Sequence, residues 1–227
     1  QGDRVKYLYD NLLIRNNVAG GSHATSPPRR TKMKQQNVTL KPVTRADVSR
    51  IRQWLQNEEV SESWFGRYSY GDPAHLGYHP DEIEQASEEA WGQVFNNPEH
   101  QILSIYTEDG EHIGEVHIAI EESLGDGQIS ILLGRVDKWH HGYGTAGVLA
   151  TLDLAFNEHG LYRVWVDIPE YNTAARAMFT HLGFTHEGTL RQSRPHEGSR
   201  FDSVVMGMLA TEYTQRSSDA STEGQTV

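Results

Sequence analysis

The segment Lys138-Trp139-His140-His141-Gly142-Tyr143-Gly144-Thr145-Ala146-Gly147 has the clearest chemical capacity in the chain. It lies between a short apolar run, Ile129 to Leu133, and a helical pattern, Thr145 to Phe156. That order describes a strand, a glycine-bearing turn and a helix N-terminus. Such a turn presents several backbone N–H groups at the positive end of a helix dipole, which suits a phosphate or pyrophosphate. Gly142 and Gly144 allow close approach of the backbone to a ligand. An ordinary tight strand-to-helix turn has the same composition, so the segment decides nothing alone. Residues 60–80 are a second candidate region. Trp64, Phe65, Tyr68, Tyr70 and Tyr78 alternate there with Gly66, Gly71, Pro73 and Gly77. Rings at that density suit the wall or lid of a site for a cation; a loop packing its rings onto the core would look the same. Glu115 and His117 form a third. Strand parity puts both on one face, and an imidazole ordinarily titrates near pH ~6.5, the right range for moving protons. Both also fit a solvated strand.

The elements that position these residues follow from hydrophobic period and capping signals. Val38 to Pro42 alternates like a strand. Thr44 and Asp47 form a capping-box pattern for a helix from Arg45 to about Asn57, with Val48, Ile51 and Leu55 on its apolar face. Residues 60–80 read as a long irregular loop. Asp81, with Glu84 three positions on, predicts a helix running to about Asn96. Gln101 to Glu108, Asp109-Gly110 and His112 to Glu121 read as a β-hairpin, and Gln128 to Leu133 as the next strand. His159-Gly160 closes the helix after the glycine turn. Tyr162 to Val166 is a strand, and Asn172 caps a helix that Gly183 ends. Phe184 to Leu190 and Phe201 to Leu209 are strands joined by a polar connection over Arg194 to Ser199.

Three regions result: a Gly-, Ser- and Pro-bearing flexible arm over residues 1–36, one mixed α/β domain over 37–213, and a disordered tail over 214–227. The chain has 227 residues, 37% hydrophobic and 22% charged, enough for one domain with a sizeable core. It lacks cysteine, which excludes disulfides, thiolate nucleophiles and Cys-ligated zinc and permits a reducing cytoplasm. No apolar run approaches the ~20 residues of a membrane-spanning helix. A net charge of -11 opposes nonspecific nucleic-acid binding and favours cationic, amine-bearing substrates, though it equally serves solubility.

Residues 128–209 resemble the GNAT acetyltransferases. Trp139-His140-His141-Gly142-Tyr143-Gly144-Thr145 is similar to that family's acetyl-CoA pyrophosphate loop, in the form found in the ribosomal-protein (RimJ/RimL-like) branch. Asn172, Ala175, Phe179 and Leu182-Gly183-Phe184 resemble its second block, which ends in Gly-Phe. Glu187 to Arg191 and Asp202 to Met208 resemble its closing strands. The resemblance implies one α/β domain whose mostly antiparallel sheet of about six or seven strands, flanked by about four helices, splays apart at the CoA site.

The resemblance also implies roles. His141, Gly142, Tyr143, Gly144 and Thr145 would hold the pyrophosphate. Backbone of Ile131, Leu132 and Leu133 would pair with the pantetheine arm, with Asn172 bonding it and Phe179 beside it. Asn172 is equally explained as a helix cap. His140 and His141 depart from the small and basic residues common there. Acetyl-CoA would be the co-substrate, with no metal, and the acceptor a primary amine: a protein N-terminus, polyamine, aminoglycoside or other small amine. Trp64, Phe65, Tyr68 and Tyr70 would line the acceptor side. Asp167 occupies a place where a close branch carries a carboxylate base; it also suits a turn cap. His117 and Glu115 are the further candidates for proton transfer. Phe179 stands where many members carry a tyrosine that protonates the departing thiolate. That departure leaves room for Tyr143 or Tyr171 as donor, for unassisted departure, or for a protein that binds acyl-CoA without turnover. A cytoplasmic location and a homodimer complete the expectations.

Overall fold

The computed structural model describes residues 36–65, 77–196 and 198–215, which belong to one unit. The elements run β1 (Val38–Pro42), α1 (Arg45–Leu55), α2 (Glu58–Phe65), α3 (Pro80–Ile83), α4 (Glu88–Phe95), β2 (His100–Thr107), β3 (His112–Glu121), β4 (Asp126–Leu133), α5 (Tyr143–Asp153), β5 (Arg163–Pro169), α6 (Thr173–His181), β6 (Thr185–His196) and β7 (Ser199–Leu209). The strands form one seven-stranded sheet in the order β1-β2-β3-β4-β5-β7-β6. Every neighbouring pair is antiparallel except β4 with β5. This is the expected mixed α/β architecture.

The β4–β5 ladder holds only from Asp126–Arg163 through Gln128–Trp165. Beyond it the two strands separate and a cleft opens between them, lined by Ser63, Ser130, Ile131, Asp167, Asn172 and Phe179 among others.

Among the described residues three hydrophobic clusters hold the sheet, the smallest of them Ile105 of β2 with Ile113 and Val116 of β3. On one face Ile118, Ile129, Val164, Val166 and Met206 pack with Val148 and Leu152 of α5 and Phe179 of α6. On the other Ile102 and Leu132 pack with Val48 and Ile51 of α1, Val60 of α2 and Ile83 of α3. Gly134, just after β4, lets α1 close on the strand end: a Cβ there would lie 1.9 Å from the Trp54 ring.

Several expectations are corrected. The single helix from Asp81 to Asn96 is two helices, α3 and α4. Pro80, not Asp81, begins the first, after the N-cap His79. The Arg45 guanidinium takes the carbonyls of Ile83, Glu84 and Ala86, which stops α3, and Ser87 then caps α4 through the Ala90 amide at 3.2 Å. The first part of the expected irregular stretch is α2, started by Asn57, whose Oδ1 accepts from the Glu59 amide at 3.0 Å. The polar connection at 194–199 is strand: β6 and β7 pair out to His196–Ser199, and the turn falls at Gly198 with φ 75°. Strand β5 runs on to Pro169, so Asp167 sits within the ladder opposite Val205. The capping box of Thr44 and Asp47 and the Asn172 cap form as expected. The arm and tail lie, but for residues 36, 214 and 215, outside the described residues.

Candidate active site

The β4 side of the cleft, and the start of α5 that follows it in the chain, offer backbone groups. Helix α5 starts at Tyr143, one turn of sequence after the short 3-10 segment Val136–Lys138. Its N-cap is Gly142 at φ 91°, a left-handed conformation that glycine adopts without a Cβ penalty. No side chain caps this end, and Ala146 is the residue whose amide reaches back to the Gly142 carbonyl, at 3.0 Å. The amides of Tyr143, Gly144 and Thr145 therefore have no helical acceptor and point outward at the dipole's positive end. His140, exposed, has φ 60°, an uncommon conformation for a side-chain-bearing residue and a form of strain that collects at functional turns. His141 is exposed as well. Trp139 pins the turn to the sheet by donating its indole N–H to the Leu133 carbonyl at 3.0 Å. Ile131, Leu132 and Leu133 continue β4 past the point where β5 leaves it, so this edge has no strand partner. A free strand edge leading to uncapped helix amides fits a ligand with an amide-bearing arm and a pyrophosphate, as in acetyl-CoA.

The other side is built from side chains. Asp167 projects from β5 and forms an ion pair with Arg194 of β6; both side chains are about nine-tenths buried. Arg194 holds Asp167 Oδ2, while Oδ1 is shielded from solvent without a hydrogen-bond partner among the described residues. Asn172 is committed at both ends of its amide. Oδ1 accepts from the Ala175 amide at 3.1 Å, and Nδ2 donates to the Ser63 carbonyl of α2 at 2.9 Å. It is thus a helix cap and a tie across the cleft, with its second N–H unbonded among the described residues. Phe179 is 4% exposed and meets Phe184 edge-on at 4.9 Å between centroids. Near the β6–β7 turn Tyr171 stacks on His196 at 4.3 Å and meets Phe201 edge-on.

Glu115 and His117 are not solvated. They lie 0% and 2% exposed on the face of β3 that packs under α1–α4. His117 Nε2 is 2.6 Å from Glu115 Oε1, and the Tyr78 hydroxyl donates to Glu115 Oε2 at 2.8 Å. Burial, reinforced by the Glu115 charge, pushes the Tyr78 phenol well above its ordinary range, so it remains a donor. The carboxylate accepts on both sides, which assigns the Nε2 hydrogen to His117. His100 of β2 meets the His117 ring edge-on at 5.5 Å. Burial first, and then His117, hold His100 below the ordinary imidazole range.

Comparison with known proteins gives this geometry its context. A family model described as an acetyltransferase (GNAT) domain matches residues 37–185. The chain belongs to the GNAT acetyltransferase family. This GNAT domain is 25% identical over 167 residues to an aminoglycoside N(6′)-acetyltransferase type 1 from Klebsiella pneumoniae, covering 68% of this chain and 77% of that protein. The same values hold for the corresponding protein of Serratia marcescens. Among solved structures it matches the spermidine N-acetyltransferase of Vibrio cholerae in complex with CoA and spermine, with TM-score 0.65 and 18% identity, covering 78% of this chain and 98% of that one. A dodecameric form of the Vibrio enzyme matches with TM-score 0.64 and 20% identity, covering 80% and 98%. At such identities the structures share the fold.

Within the GNAT domain, Ile131, Asp167, Asn172 and Phe179 meet at the cleft; Leu133 ends β4 beyond it, and Gly144 at the start of α5 stands beside the Leu133 side chain. Leu132 is a core residue facing α1, so only its backbone can serve the β4 edge. Glu115 and His117 lie one strand away. Trp64 and Phe65 stand on α2 with side chains outside the described set, and Tyr68 and Tyr70 lie outside the described residues. Sequence reasoning missed Arg194, Ser130, Ser63 and the bond from Tyr78 to Glu115. Only Ser130 carried a signal: it is the polar residue inside the apolar run 129–133. Among the described residues no group of His, Asp or Glu is placed to hold a metal.

Proposed function

We propose that the chain is an acetyl-CoA-dependent N-acetyltransferase acting on a small primary amine in a ternary complex. The observation that carries this is the cleft where β4 and β5 part: the unpaired β4 edge at Ile131 lies across it from Asp167, and β4 leads on to the uncapped start of α5. Bound there, acetyl-CoA would supply an activated acyl group. The amides of Tyr143, Gly144 and Thr145 would hold its pyrophosphate, the edge of Ile131 to Leu133 and the Asn172 amide its pantetheine arm. Asp167 would receive the acceptor nitrogen, with Trp64, Phe65, Tyr68 and Tyr70 toward the acceptor's far side. Polyamines and aminoglycosides are the favoured acceptors over a protein N-terminus. The relatives' acceptors and the net charge of -11 both support a cationic small molecule. The RimJ/RimL-like placement rests on the loop from Trp139 to Thr145 alone. A cytoplasmic homodimer is the setting proposed.

Phe179 favours a second reading. It is buried in the cleft with no proton to give, so either the thiolate leaves without its help or the protein binds acyl-CoA without turnover. Free-thiol release with acetyl-CoA and a panel of spermidine, spermine, an aminoglycoside and N-terminal peptides separates the two. Release with the polyamine or the aminoglycoside is expected. Tight acetyl-CoA binding with no release across the panel would establish the second reading.

A further inference from the structure

Helix α6 begins beside the cleft and α2 finishes beside it, with Asn172 and Ser63 both in its lining. A helix start leaves amides without partners inside the helix, and a helix end leaves carbonyls. One side chain meets both needs here. Asn172 Oδ1 accepts from the Ala175 amide at 3.1 Å and caps the start of α6. Asn172 Nδ2 donates to the Ser63 carbonyl at 2.9 Å. A helical partner for that carbonyl would be the amide four positions on, and α2 ends two positions on, at Phe65. The polarity is right at each end: the amide oxygen meets the positive end of one helix dipole, the amide hydrogen the negative end of the other. Serine, threonine and aspartate also cap helix starts, but among the good caps only asparagine carries an acceptor and a donor on separate atoms.

The two parts of α2 are held by different means. Val60, 0% exposed, packs in the core with Val48 and Ile51 of α1. Ser63, one turn later, is half-buried at the cleft wall. Its hydroxyl turns back to the Val60 carbonyl at 2.8 Å, and its own carbonyl is held by Asn172. The helix to which α2 is tied is itself fixed. Phe179 of α6 is buried against Phe184, and Met178 stands at the start of α5, its Sδ 3.3 Å from where a Cβ on Gly144 would lie.

Resting on the acetyltransferase reading above, we propose that Asn172 is a positioning residue for the acceptor: its bond to the Ser63 carbonyl sets the place of the α2 end, and with it the acceptor wall of the cleft, independently of its capping of α6. An acceptor long enough to run from Asp167 along the end of α2 depends on that wall. A short monoamine that reaches only Asp167 does not. The bond thus favours extended amines, polyamines and aminoglycosides, over small ones.

The test separates the two bonds of Asn172. Asn172→Ser keeps a side-chain oxygen for the α6 amides and loses the reach to Ser63, whereas Asn172→Ala loses both. Acceptor kcat and KM are measured at saturating acetyl-CoA with spermidine and with propylamine, alongside thermal unfolding and acetyl-CoA affinity by calorimetry. Both variants are expected to raise the spermidine KM by the same factor, about five-fold or more, the scale of one lost hydrogen bond. The propylamine KM should change less than about two-fold. Only Asn172→Ala should unfold at a lower temperature, because only it loses the cap. A purely structural role would instead make KM follow stability, moving it in Asn172→Ala and sparing Asn172→Ser. A spermidine KM unchanged in Asn172→Ser, or a loss shared equally by both amines, overturns the inference, and Asn172→Ser decides it alone where Asn172→Ala does not fold. A fall in acetyl-CoA affinity with an unmoved spermidine KM overturns it too, since Asn172 would then serve the donor only. Wild type that releases no thiol with any amine overturns the acetyltransferase reading itself, a different result from turnover with an unmoved KM.

Discussion

The two sides of the cleft are made of different material. On the β4–α5 side the groups on offer are main-chain amides and a strand edge without a partner among the described residues. On the β5–β6 side they are side chains: a buried ion pair, an amide and aromatic rings. A backbone site depends on φ and on where the helix begins, and tolerates changes in neighbouring side chains. A side-chain site depends on each charge having its partner, and tolerates little substitution. His140 and His141 stand exposed beside that backbone, while Arg194 is held by Asp167.

The largest test of this contrast is Arg194→Ala. It leaves the Asp167 carboxylate buried without a counter-ion, and the expected loss is about 3–5 kcal/mol in urea unfolding. Asp167→Asn combined with Arg194→Met should recover most of it. A loss below ~1 kcal/mol for Arg194→Ala would put the pair with surface ion pairs.

Asp47 is a control outside the cleft. Burial alone would raise its pKa, but hydrogen bonds from Tyr106 and Thr44 and the nearby His112 bring it down to about 2. A depressed carboxylate adds stability that is complete above its unfolded value near 3.8 and is lost as pH falls toward about 2. Acid unfolding of wild type should lose on the order of 2 kcal/mol across that window. Asp47→Asn should flatten this part of the curve, with acetyl-CoA affinity at neutral pH unchanged. A steep wild-type slope that persists in Asp47→Asn would assign the acid sensitivity to the cleft carboxylates instead.

On the backbone side, Gly142→Val forces a branched residue to φ 91°. It should cost about 1–2 kcal/mol of stability. Acetyl-CoA affinity measured by calorimetry should fall roughly ten-fold, equivalent to ~1.4 kcal/mol. His141→Ala should change that affinity less than about two-fold, within ~0.4 kcal/mol. An equal effect from both would mean that the loop binds through side chains. The smallest effect is His140→Gly, which removes a side chain from φ 60°. A gain of up to about 1 kcal/mol in thermal unfolding is expected, with acetyl-CoA binding retained.

The same contrast explains what the sequence displayed. The β4–α5 side is local in the chain: a strand, Gly142 and a helix lie within residues 126–153, so turn and period signals describe it. The β5–β6 side joins residues far apart. Arg194 reaches Asp167 across 27 positions, and Asn172 reaches Ser63 across 109. Arg194 fell in a polar run that reads as a connection. Only the pairing of Arg194 with Phe201 turns it into a strand residue. Tyr78 reads as one ring in an aromatic loop, and its bond to Glu115 spans 37 positions. The break between α3 and α4 was hidden for the same reason, since Arg45 imposes it from another helix.

Transfer of an acetyl group by this cleft to a small amine is decided in one tube with protein, acetyl-CoA and spermidine or an aminoglycoside, with free thiol titrated and the amine's mass measured together. One thiol released for each acetyl group gained by the amine is expected, with a sharp loss of both in Asp167→Asn at low acceptor concentration. Saturable acetyl-CoA binding with neither thiol nor acetylated amine would contradict it.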